Sequence, residues 1–255
     1  MSIKVKNLSY KYPSGKDDVI KDLNLSIKDG TITVLLGLNG CGKTTFIKLL
    51  AGLLKADSGE ILYADKNVFE LPMKERSKIF AYVPQKTYSA DDYFVKDYLT
   101  YGFINSLKFY QTPSSGQLNK VQDIAERLSI THLLNKKMGQ ISVGERQIVS
   151  IASCLLQDTP IILLDEPTSA LDLKNQNIVL SLLREITKEG KTIILSSHNP
   201  NHALFLESNV VLMDKGTIVK QDLCDDIIKV EILKKVYGDS VCYSENLTYR
   251  EISFQ

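Results

Sequence analysis

The sequence predicts an α/β protein with a mostly parallel sheet, an N-terminal antiparallel β layer and an inserted helical subdomain. Three observations predict this fold. Short apolar runs alternate with amphipathic helical patterns in the first and last thirds of the chain, two half-polar alternating segments precede the first of these runs, and the middle of the chain has helical periodicity. The 255 residues suffice for one large domain or two small ones.

The first third is predicted to hold the antiparallel layer and the start of the parallel core. "IKVKNLSYKY" and "DLNLSIKDG" alternate apolar and polar residues like half-buried strands, and the second stops at Gly30. "TITVLLG" is an uninterrupted apolar run, which is typical of a buried parallel strand. "KTTFIKLLAGLL" then has helical spacing, and "DSGEIL" predicts a turn into another strand.

The middle of the chain, from about residue 88 to residue 157, is predicted to be helical. Two segments place apolar residues at i, i+3, i+4 and i+7, and "QTPSSGQ" predicts a loop between helices. The apolar residues are Val121, Ile124, Ala125 and Leu128 in one segment and Ile148, Ile151, Ala152 and Leu155 in the other.

Strands and helices alternate again in the last third. "PIILLDEP" and "KTIILSSH" predict strands, "NQNIVLSLLREITKEG" predicts an amphipathic helix ending at Gly190, and "NVVLMDKGTIVKQ" predicts a hairpin around Lys215 and Gly216. The tail after about Gln221 predicts a terminal helix and one or two strands. The expected division is one domain with an α/β core and β layer (about 1–87 and 159–222), a helical subdomain (about 88–158) and a short C-terminal extension (about 223–255).

Composition excludes several classes of protein. The 31 Lys and Arg nearly balance the 30 Asp and Glu, so net charge gives no argument for nucleic acid or an anionic membrane as partner. The apolar runs fall far short of the roughly 20 residues that span a bilayer, and the charged N-terminus does not read as a signal peptide. The four cysteines form no CxxC pair, which favours isolated thiols in a reducing cytosol.

The segment "GLNGCGKT", Gly37 to Thr44, predicts a nucleoside-triphosphate site because it fits G-x-x-x-x-G-K-[ST] between a strand and a helix. Its glycines let successive N–H groups point at phosphate oxygens, and the helix dipole adds positive potential. Lys43 is predicted to bind the β- and γ-phosphates, and the Thr44 hydroxyl to hold Mg²⁺. The predicted loop contacts are Gly37, Leu38, Asn39, Gly40, Cys41, Gly42, Lys43, Thr44 and Thr45.

The segment "IILLDEP" places two carboxylates at the carboxyl end of a buried strand, where open α/β sheets bind ligands. Asp165 is predicted to hold Mg²⁺, and Glu166 to act as base for the water that attacks the γ-phosphate. Alone, "LLDE" is equally typical of an acidic helix cap or a solvated strand end. Together with Gly37–Thr44 it predicts triphosphate hydrolysis.

The sequence gives weaker evidence about the base of the nucleotide. No Asn-Lys-x-Asp string follows a late strand, which disfavours a guanine-reading GTPase. Tyr12 lies about 25 residues before the phosphate loop and is a candidate for stacking on adenine. The alternative is an ordinary aromatic residue on a half-exposed strand.

Five segments in order resemble those of the ATPase subunit of an ATP-binding cassette (ABC) transporter. They are Gly37–Thr44, "YVPQ" at Tyr82–Gln85, "ISVGERQ" at Ile141–Gln147, "ILLDEPTSALD" at Ile162–Asp172 and "SSH" at Ser196–His198. The resemblance runs from about residue 3 to about residue 222. It implies a RecA-like P-loop NTPase core, ATP as substrate and Mg²⁺ as cofactor.

The resemblance also implies roles for single residues. Tyr12 would stack on adenine, Gln85 would reach Mg²⁺ and the attacking water, and His198 would contact the γ-phosphate. Lys43 and Glu166 complete the implied catalytic set. Without the resemblance, Gln85 would be a polar loop residue and His198 a structural histidine.

A second copy of the chain is the first implied partner, packed head to tail so that each ATP lies between two copies. Ser142, Gly144, Glu145 and Asp172 would contact the nucleotide bound by the other copy. The usual family pattern is Leu-Ser-Gly-Gly, and Val143 replaces its first glycine. Because a β-branched residue does not tolerate positive φ, this segment is predicted to enter its helix without a left-handed residue, with Val143 pointing away from the nucleotide.

Membrane permease subunits are the second implied partner, and a solute-binding protein an indirect one. The resemblance therefore implies a cytoplasmic protein held at the inner face of the cell membrane through the permease. "KTYSADDYFVKDYLTYGF" is either a docking surface for the permease or the core of the helical subdomain, and both interpretations stay open.

The motif details resemble importers of iron–siderophore, haem or cobalamin complexes. The alternatives are another ABC transporter class, a non-transport ABC ATPase acting on DNA or the ribosome, and an inactive regulatory subunit. The chain shows no long coiled coil, zinc module or second cassette, and its charge is balanced, which disfavours the non-transport class. Lys43, Gln85, Asp165, Glu166 and His198 are all in place, which disfavours an inactive site.

Overall fold

A computed structural model describes residues 2–85, 90–107, 111–239, 241–245 and 250–254. The strands are β1 (Ser2–Tyr10), β2 (Ile20–Lys28), β3 (Ile32–Leu36), β4 (Ser58–Tyr63), β5 (Lys66–Asn67), β6 (Phe80–Val83), β7 (Ile161–Leu164), β8 (Thr192–Ser197), β9 (Asn209–Asp214), β10 (Thr217–Leu223), β11 (Val241–Glu245) and β12 (Arg250–Phe254). The α-helices are α1 (Lys43–Leu50), α2 (Met73–Ile79), α3 (Val95–Thr100), α4 (Ser115–Arg127), α5 (Val143–Leu155), α6 (Leu173–Lys188), α7 (Pro200–Leu206), α8 (Cys224–Ile227) and α9 (Val230–Tyr237). Short 3₁₀ turns lie at Tyr101–Phe103, Thr131–Leu133 and Met138–Gln140.

The central sheet has six strands in the order β10-β9-β3-β8-β7-β6. Its strands are parallel except β10, which pairs antiparallel with β9 through a turn at Lys215 and Gly216. A second sheet, in the order β2-β1-β4-β5, is antiparallel throughout. The predicted α/β class, the mainly parallel sheet and the N-terminal β layer are confirmed.

The central sheet is buried on both faces, which explains why its strands read as uninterrupted apolar runs. Alternate side chains of β3, β7 and β8 point to opposite faces. Leu35, Leu163 and Ile194 pack with α1 and the antiparallel sheet. Their neighbours Val34, Leu164 and Leu195 pack with the helices that follow in the chain.

The described part of the middle region contains helices and 3₁₀ turns and no strand. The loop predicted for "QTPSSGQ" is wrong in its second half, because α4 already begins at Ser115. The Ser114 hydroxyl accepts the Gln117 N–H, and the Gln117 side chain accepts the Ser114 N–H at 2.9 Å. This capping box turns residues 115–117 into the first helical turn.

Several elements were not predicted, and their sequences explain why. Helix α2 buries none of its residues, so it carries no apolar periodicity. Helix α6 begins at Leu173 rather than at the predicted Asn175, because the Asp172 carboxylate caps it by accepting the Asn175 N–H at 2.8 Å. The C-terminal extension contains a short helix α8 in addition to the predicted terminal helix and two strands. Among the described residues, no helix has the length and apolar character needed to cross a membrane.

Candidate functional site

Four neighbouring parallel strands of the central sheet end at one edge, and polar side chains follow each of them. Strand β3 leads into the phosphate loop, β6 into Gln85, β7 into Asp165 and Glu166, and β8 into His198. A cavity of about 440 Å³ opens at this edge. Its described lining is Val19, Asn39, Gly40, Gly42, Lys43, Thr44, Thr45, Gln85 and Glu166.

The phosphate loop curls through left-handed backbone at Gly40 and Gly42, with φ of 82° and 108°. A Cβ at Gly42 would also lie 3.0 Å from the Val19 carbonyl oxygen, so only glycine fits there without strain. Helix α1 begins at the next residue, Lys43. The Lys43 ammonium is buried and donates to the carbonyl oxygens of Gly37 at 2.7 Å and Leu38 at 3.0 Å. The Lys43 ammonium is therefore fixed by hydrogen bonds to the backbone of its own loop.

Asp165 is buried and receives two hydroxyl groups on one carboxylate oxygen. The Thr44 hydroxyl donates to Asp165 Oδ1 at 2.9 Å, which joins the start of α1 to the end of β7. The Ser196 hydroxyl donates to the same oxygen at 2.7 Å and also accepts the Glu166 N–H at 2.9 Å. Ser196 lies within "SSH" and was not predicted to have a role in the site. The feature that could have indicated this role is a pair of adjacent serines, Ser196 and Ser197, at the end of a strand whose six residues are all buried.

Glu166 lies at the centre of the site, with 8% of its surface exposed. Its backbone is left-handed, with φ of 46°, a strained conformation that surrounding contacts must enforce. The Gln85 amide donates to Glu166 Oε2 at 3.1 Å, and the Lys43 ammonium lies 3.9 Å from Oε1. His198 Nδ1 lies 3.5 Å from Glu166 Oε2. The structure thus brings Lys43, Gln85, Glu166 and His198 together around one carboxylate.

Tyr12 lies beside the phosphate loop but is not among the residues that line the described cavity. Its hydroxyl is 3.2 Å from the Thr45 hydroxyl, and its ring packs edge-on against Tyr10 at 5.0 Å. The ring is half-buried. Stacking on adenine stays a prediction.

The segment "ISVGE" starts helix α5, away from the cavity of its own chain. Ser142 caps the helix by accepting the Glu145 N–H at 3.2 Å, and the Glu145 carboxylate accepts the Ser142 N–H at 2.7 Å. That N–H lowers the pKa of Glu145, so the cap is made with an ionised carboxylate. No residue of this segment has positive φ, which confirms the predicted helix entry, and Val143 is 69% exposed.

Packing within the chain gives Gly144 and Asp172 structural roles that sequence reasoning missed. A Cβ on Gly144 would lie 2.9 Å from the Ala170 carbonyl oxygen, in the loop before α6. Asp172 is the cap of α6. Neither residue lines the cavity of its own chain.

Changing Val143 to glycine is expected to tighten ATP-driven dimerisation and raise turnover by a few-fold. The exposed β-branched side chain stands at the first helical position beside Ser142. Ser142 is predicted to contact the nucleotide of a second copy, and in that arrangement the valine would crowd the approaching copy. A glycine at this position lowers the stability of the helix by about 1 kcal/mol at most. Sedimentation with ATP and steady-state hydrolysis measure both quantities. Val143→Ala removes both γ-methyl groups but keeps a good helix former, so it should show the same gain without the helix cost of glycine. Unchanged dimerisation and turnover in Val143→Gly would show that valine in place of the usual glycine affects neither quantity.

The aromatic-rich segment divides between core and surface. Residues 86–89 of this segment lie outside the described part of the chain. Phe103 is buried and Tyr98 is half-buried, whereas Tyr93, Phe94 and Tyr101 are 40–49% exposed. The Tyr101 ring contacts the exposed ring of Tyr93 at 5.7 Å and the half-buried ring of Tyr98 at 6.1 Å between ring centroids. The described part of the segment is therefore neither entirely exposed, as a docking surface would be, nor entirely buried in the core of the helical part.

Known proteins resemble the chain over most of its length. A family model described as ABC transporter matches residues 20–169. The probable iron chelatin transport ATP-binding protein of Helicobacter pylori is 36% identical over 84% of this chain and 84% of its own length. A metal-chelate type ABC transporter solved in an inward-facing conformation has a TM-score of 0.82 and 28% identity, and covers 100% of this chain and 96% of its own. A bacterial ABC transporter cassette solved as a dimer has a TM-score of 0.79 and 26% identity, and covers 87% of this chain and 98% of its own.

Proposed function

The chain belongs to the ABC transporter family and is an ATPase that powers a transporter, and from this premise we propose that it drives the import of an iron complex. The observation that carries the ATPase site is the convergence on Glu166. Gln85, Lys43 and His198 approach its carboxylate from three different elements, and the phosphate loop lines the same cavity.

The residues of this edge divide the work of hydrolysis. The N–H groups of the loop Gly37–Thr45 bind phosphate oxygens, and the Lys43 ammonium exchanges its two carbonyl partners for the β- and γ-phosphates. Glu166 takes the proton of the attacking water, while the Gln85 amide orients the carboxylate. His198 contacts the γ-phosphate, and Tyr12 stacks on the adenine.

The residues that would hold Mg²⁺ are Thr44, Asp165 and Gln85. The Thr44 hydroxyl and the Asp165 carboxylate are already within 2.9 Å, and hard oxygen donors are what Mg²⁺ prefers. Gln85 donates through its nitrogen to Glu166, which leaves its carbonyl oxygen for the metal. When bound, Mg²⁺ would neutralise charge on the β- and γ-phosphates.

The working unit is proposed to be a head-to-tail dimer of this chain. In it, Ser142, Gly144, Glu145 and Asp172 face the nucleotide of the other copy. Two observations support this arrangement. The start of α5 is exposed at Val143 and does not line the phosphate-loop cavity of its own chain, and a similar cassette was solved as a dimer.

The permease is proposed to dock on the helical part of the chain, which would hold the protein at the inner face of the membrane. Residues 88–158 would act as a helical subdomain attached to the core of residues 1–87 and 159–222, with residues 223–255 as an extension. The exposed rings of Tyr93, Phe94 and Tyr101, next to the exposed Ile104, support this surface. The cargo is proposed from the iron chelatin and metal-chelate proteins that the chain resembles, and a solute-binding protein would deliver it.

Transport itself tests the proposal. The chain is co-expressed with a permease and reconstituted in vesicles, and cargo-stimulated ATP hydrolysis is compared for an iron–siderophore complex and for molybdate. Stimulation by the iron complex alone supports the proposal. Stimulation by molybdate instead would assign a different cargo, and stimulation by neither would contradict the proposed iron cargo.

Replacing Tyr93 and Tyr101 together by serine is expected to abolish co-purification with the permease and cargo-stimulated hydrolysis. The ATPase rate of the isolated chain should stay within about twofold, since neither ring touches the nucleotide site. The control is Leu223→Ser on β10, an edge strand of the central sheet, which removes an exposed apolar side chain outside the helical part of the chain. Retained co-purification in the double variant would place the docking surface elsewhere.

A further inference from the structure

His198 lies in the turn between β8 and α7. One buried serine hydroxyl makes contacts that span this turn. We propose that His202 is a positioning residue for His198 and acts through Ser197. The inference rests on the proposed function, because the role of His198 in hydrolysis is itself part of that proposal. His202 is not part of the phosphate site and has no role in the function proposed above.

Ser197 precedes His198 in the chain, and its hydroxyl contacts two residues that follow His198. Ser197 Oγ accepts the Asn199 N–H at 3.0 Å and lies 3.3 Å from the Asn199 carbonyl oxygen. It also lies 2.9 Å from His202 Nδ1, in the first turn of α7. Both Ser197 and His202 are buried. The hydroxyl therefore ties the end of β8 to the first turn of α7, with His198 between them.

The proton arrangement follows from counting donors. A hydroxyl donates one hydrogen bond and accepts two. All three contacts coexist if Ser197 donates to the Asn199 carbonyl and accepts from both the Asn199 N–H and a His202 Nδ1–H. The opposite tautomer would place a proton on His202 Nε2, which is buried and has no partner among the residues the structure describes. A buried unpaired N–H is costly, so the proton belongs on Nδ1.

His202 is suited to this fixed role because it stays neutral. Burial, and secondarily the neighbouring His198, lower the pKa of His202 to about 4. At neutral pH it is therefore a neutral donor from one nitrogen.

His198 needs such support because its own side chain is poorly held. The ring is 54% exposed, and its one described polar contact is to Glu166 at 3.5 Å. Its position is therefore set by the backbone of the turn, which the Ser197 hydroxyl and the Asn199 cap of α7 fix. Two adjacent hydroxyls on β8 thus position different parts of the site. The Ser196 hydroxyl hydrogen-bonds to Asp165 and Glu166, and the Ser197 hydroxyl fixes the turn that contains His198.

The first test is steady-state ATP hydrolysis by the full chain carrying single changes in this network. Ser197→Ala and His202→Leu are expected to lower kcat about tenfold with KM for ATP within about twofold, because one hydrogen bond that positions a group is lost. His202→Asn should retain turnover, since its amide nitrogen occupies the place of Nδ1, whereas His202→Gln should not. The double variant of Ser197→Ala and His202→Leu should be no slower than either single one, because the two residues act in series.

The second test observes the histidine rings directly. The chain has three histidines, so a ¹⁵N-histidine spectrum of the full chain contains three ring systems. The His202 signals should report a proton on Nδ1, and Ser197→Ala should shift the His198 ring signals as well. The matched control is Ser208→Ala, which removes a buried hydroxyl at the other end of α7 and should leave His198 and kcat unchanged.

The outcomes separate the inference from the proposed function. Loss of turnover in His198→Gln together with unchanged kcat and unchanged His198 signals in Ser197→Ala overturns the inference alone. Full turnover in His198→Gln overturns the proposed role of His198. If His202→Leu does not fold, Ser197→Ala and the comparison of His202→Asn with His202→Gln decide the question.

Discussion

Glu166→Gln is expected to slow ATP hydrolysis by about 10²–10⁴-fold, the contribution typical of a positioned general base. Glutamine has nearly the same shape and retains an oxygen for the Gln85 amide, but it cannot take a proton from water. ATP affinity should therefore change little, and the ATP-bound dimer should accumulate because the step that reopens it is blocked. Single-turnover hydrolysis and sedimentation with ATP and Mg²⁺ measure the two effects.

The matched control is Glu207→Gln, which neutralises an exposed carboxylate paired with Arg184 at 2.8 Å. Its turnover should match that of the unchanged chain, because exposed pairs contribute little and this one lies outside the cavity. Turnover within threefold of normal in Glu166→Gln would remove Glu166 as the base. Loss of ATP binding would instead show that its negative charge mainly balances Lys43, 3.9 Å away.

The placement of the site could be predicted because it depends on few rules. Parallel strands end at the same edge of a sheet, and Gly37–Thr44, Asp165–Glu166 and His198 each follow an apolar run that only a buried strand explains. The central sheet was predictable for the same reason. Strand β6, which brings Gln85 to the site, escaped prediction as a strand because it follows helix α2 directly, with no turn residue between Ile79 and Phe80 to mark its start.

What could not be predicted are contacts between elements distant in sequence. Ser196 is 31 residues from Asp165, and nothing in the local pattern shows that its hydroxyl holds that carboxylate. The glycine requirement at Gly144 comes from the Ala170 carbonyl, and the left-handed backbone of Glu166 comes from its surroundings. Helix α2 and the start of α4 were missed because caps and exposed faces, rather than apolar periodicity, define them.

Lys43→Met is expected to weaken ATP binding by about 10²-fold or more. Methionine keeps the length and apolar stem of the buried side chain, so the fold should tolerate the change. Two charge-assisted hydrogen bonds to phosphate are lost, each contributing about 1.5–3 kcal/mol. Removing Lys43 also releases the carbonyl oxygens of Gly37 and Leu38, which its ammonium now holds.

Equilibrium binding of ATP, with thermal unfolding of the same samples, measures the loss and checks the fold. Lys48→Met is the matched control, because Lys48 lies on the same helix α1 and is half-buried but does not line the cavity. The unfolding temperature of Lys43→Met without nucleotide should stay near normal, while the stabilisation that ATP gives the unchanged chain should vanish. ATP binding within threefold of normal would mean that the loop N–H groups alone hold the phosphates, and the charge of Lys43 would then matter only after binding.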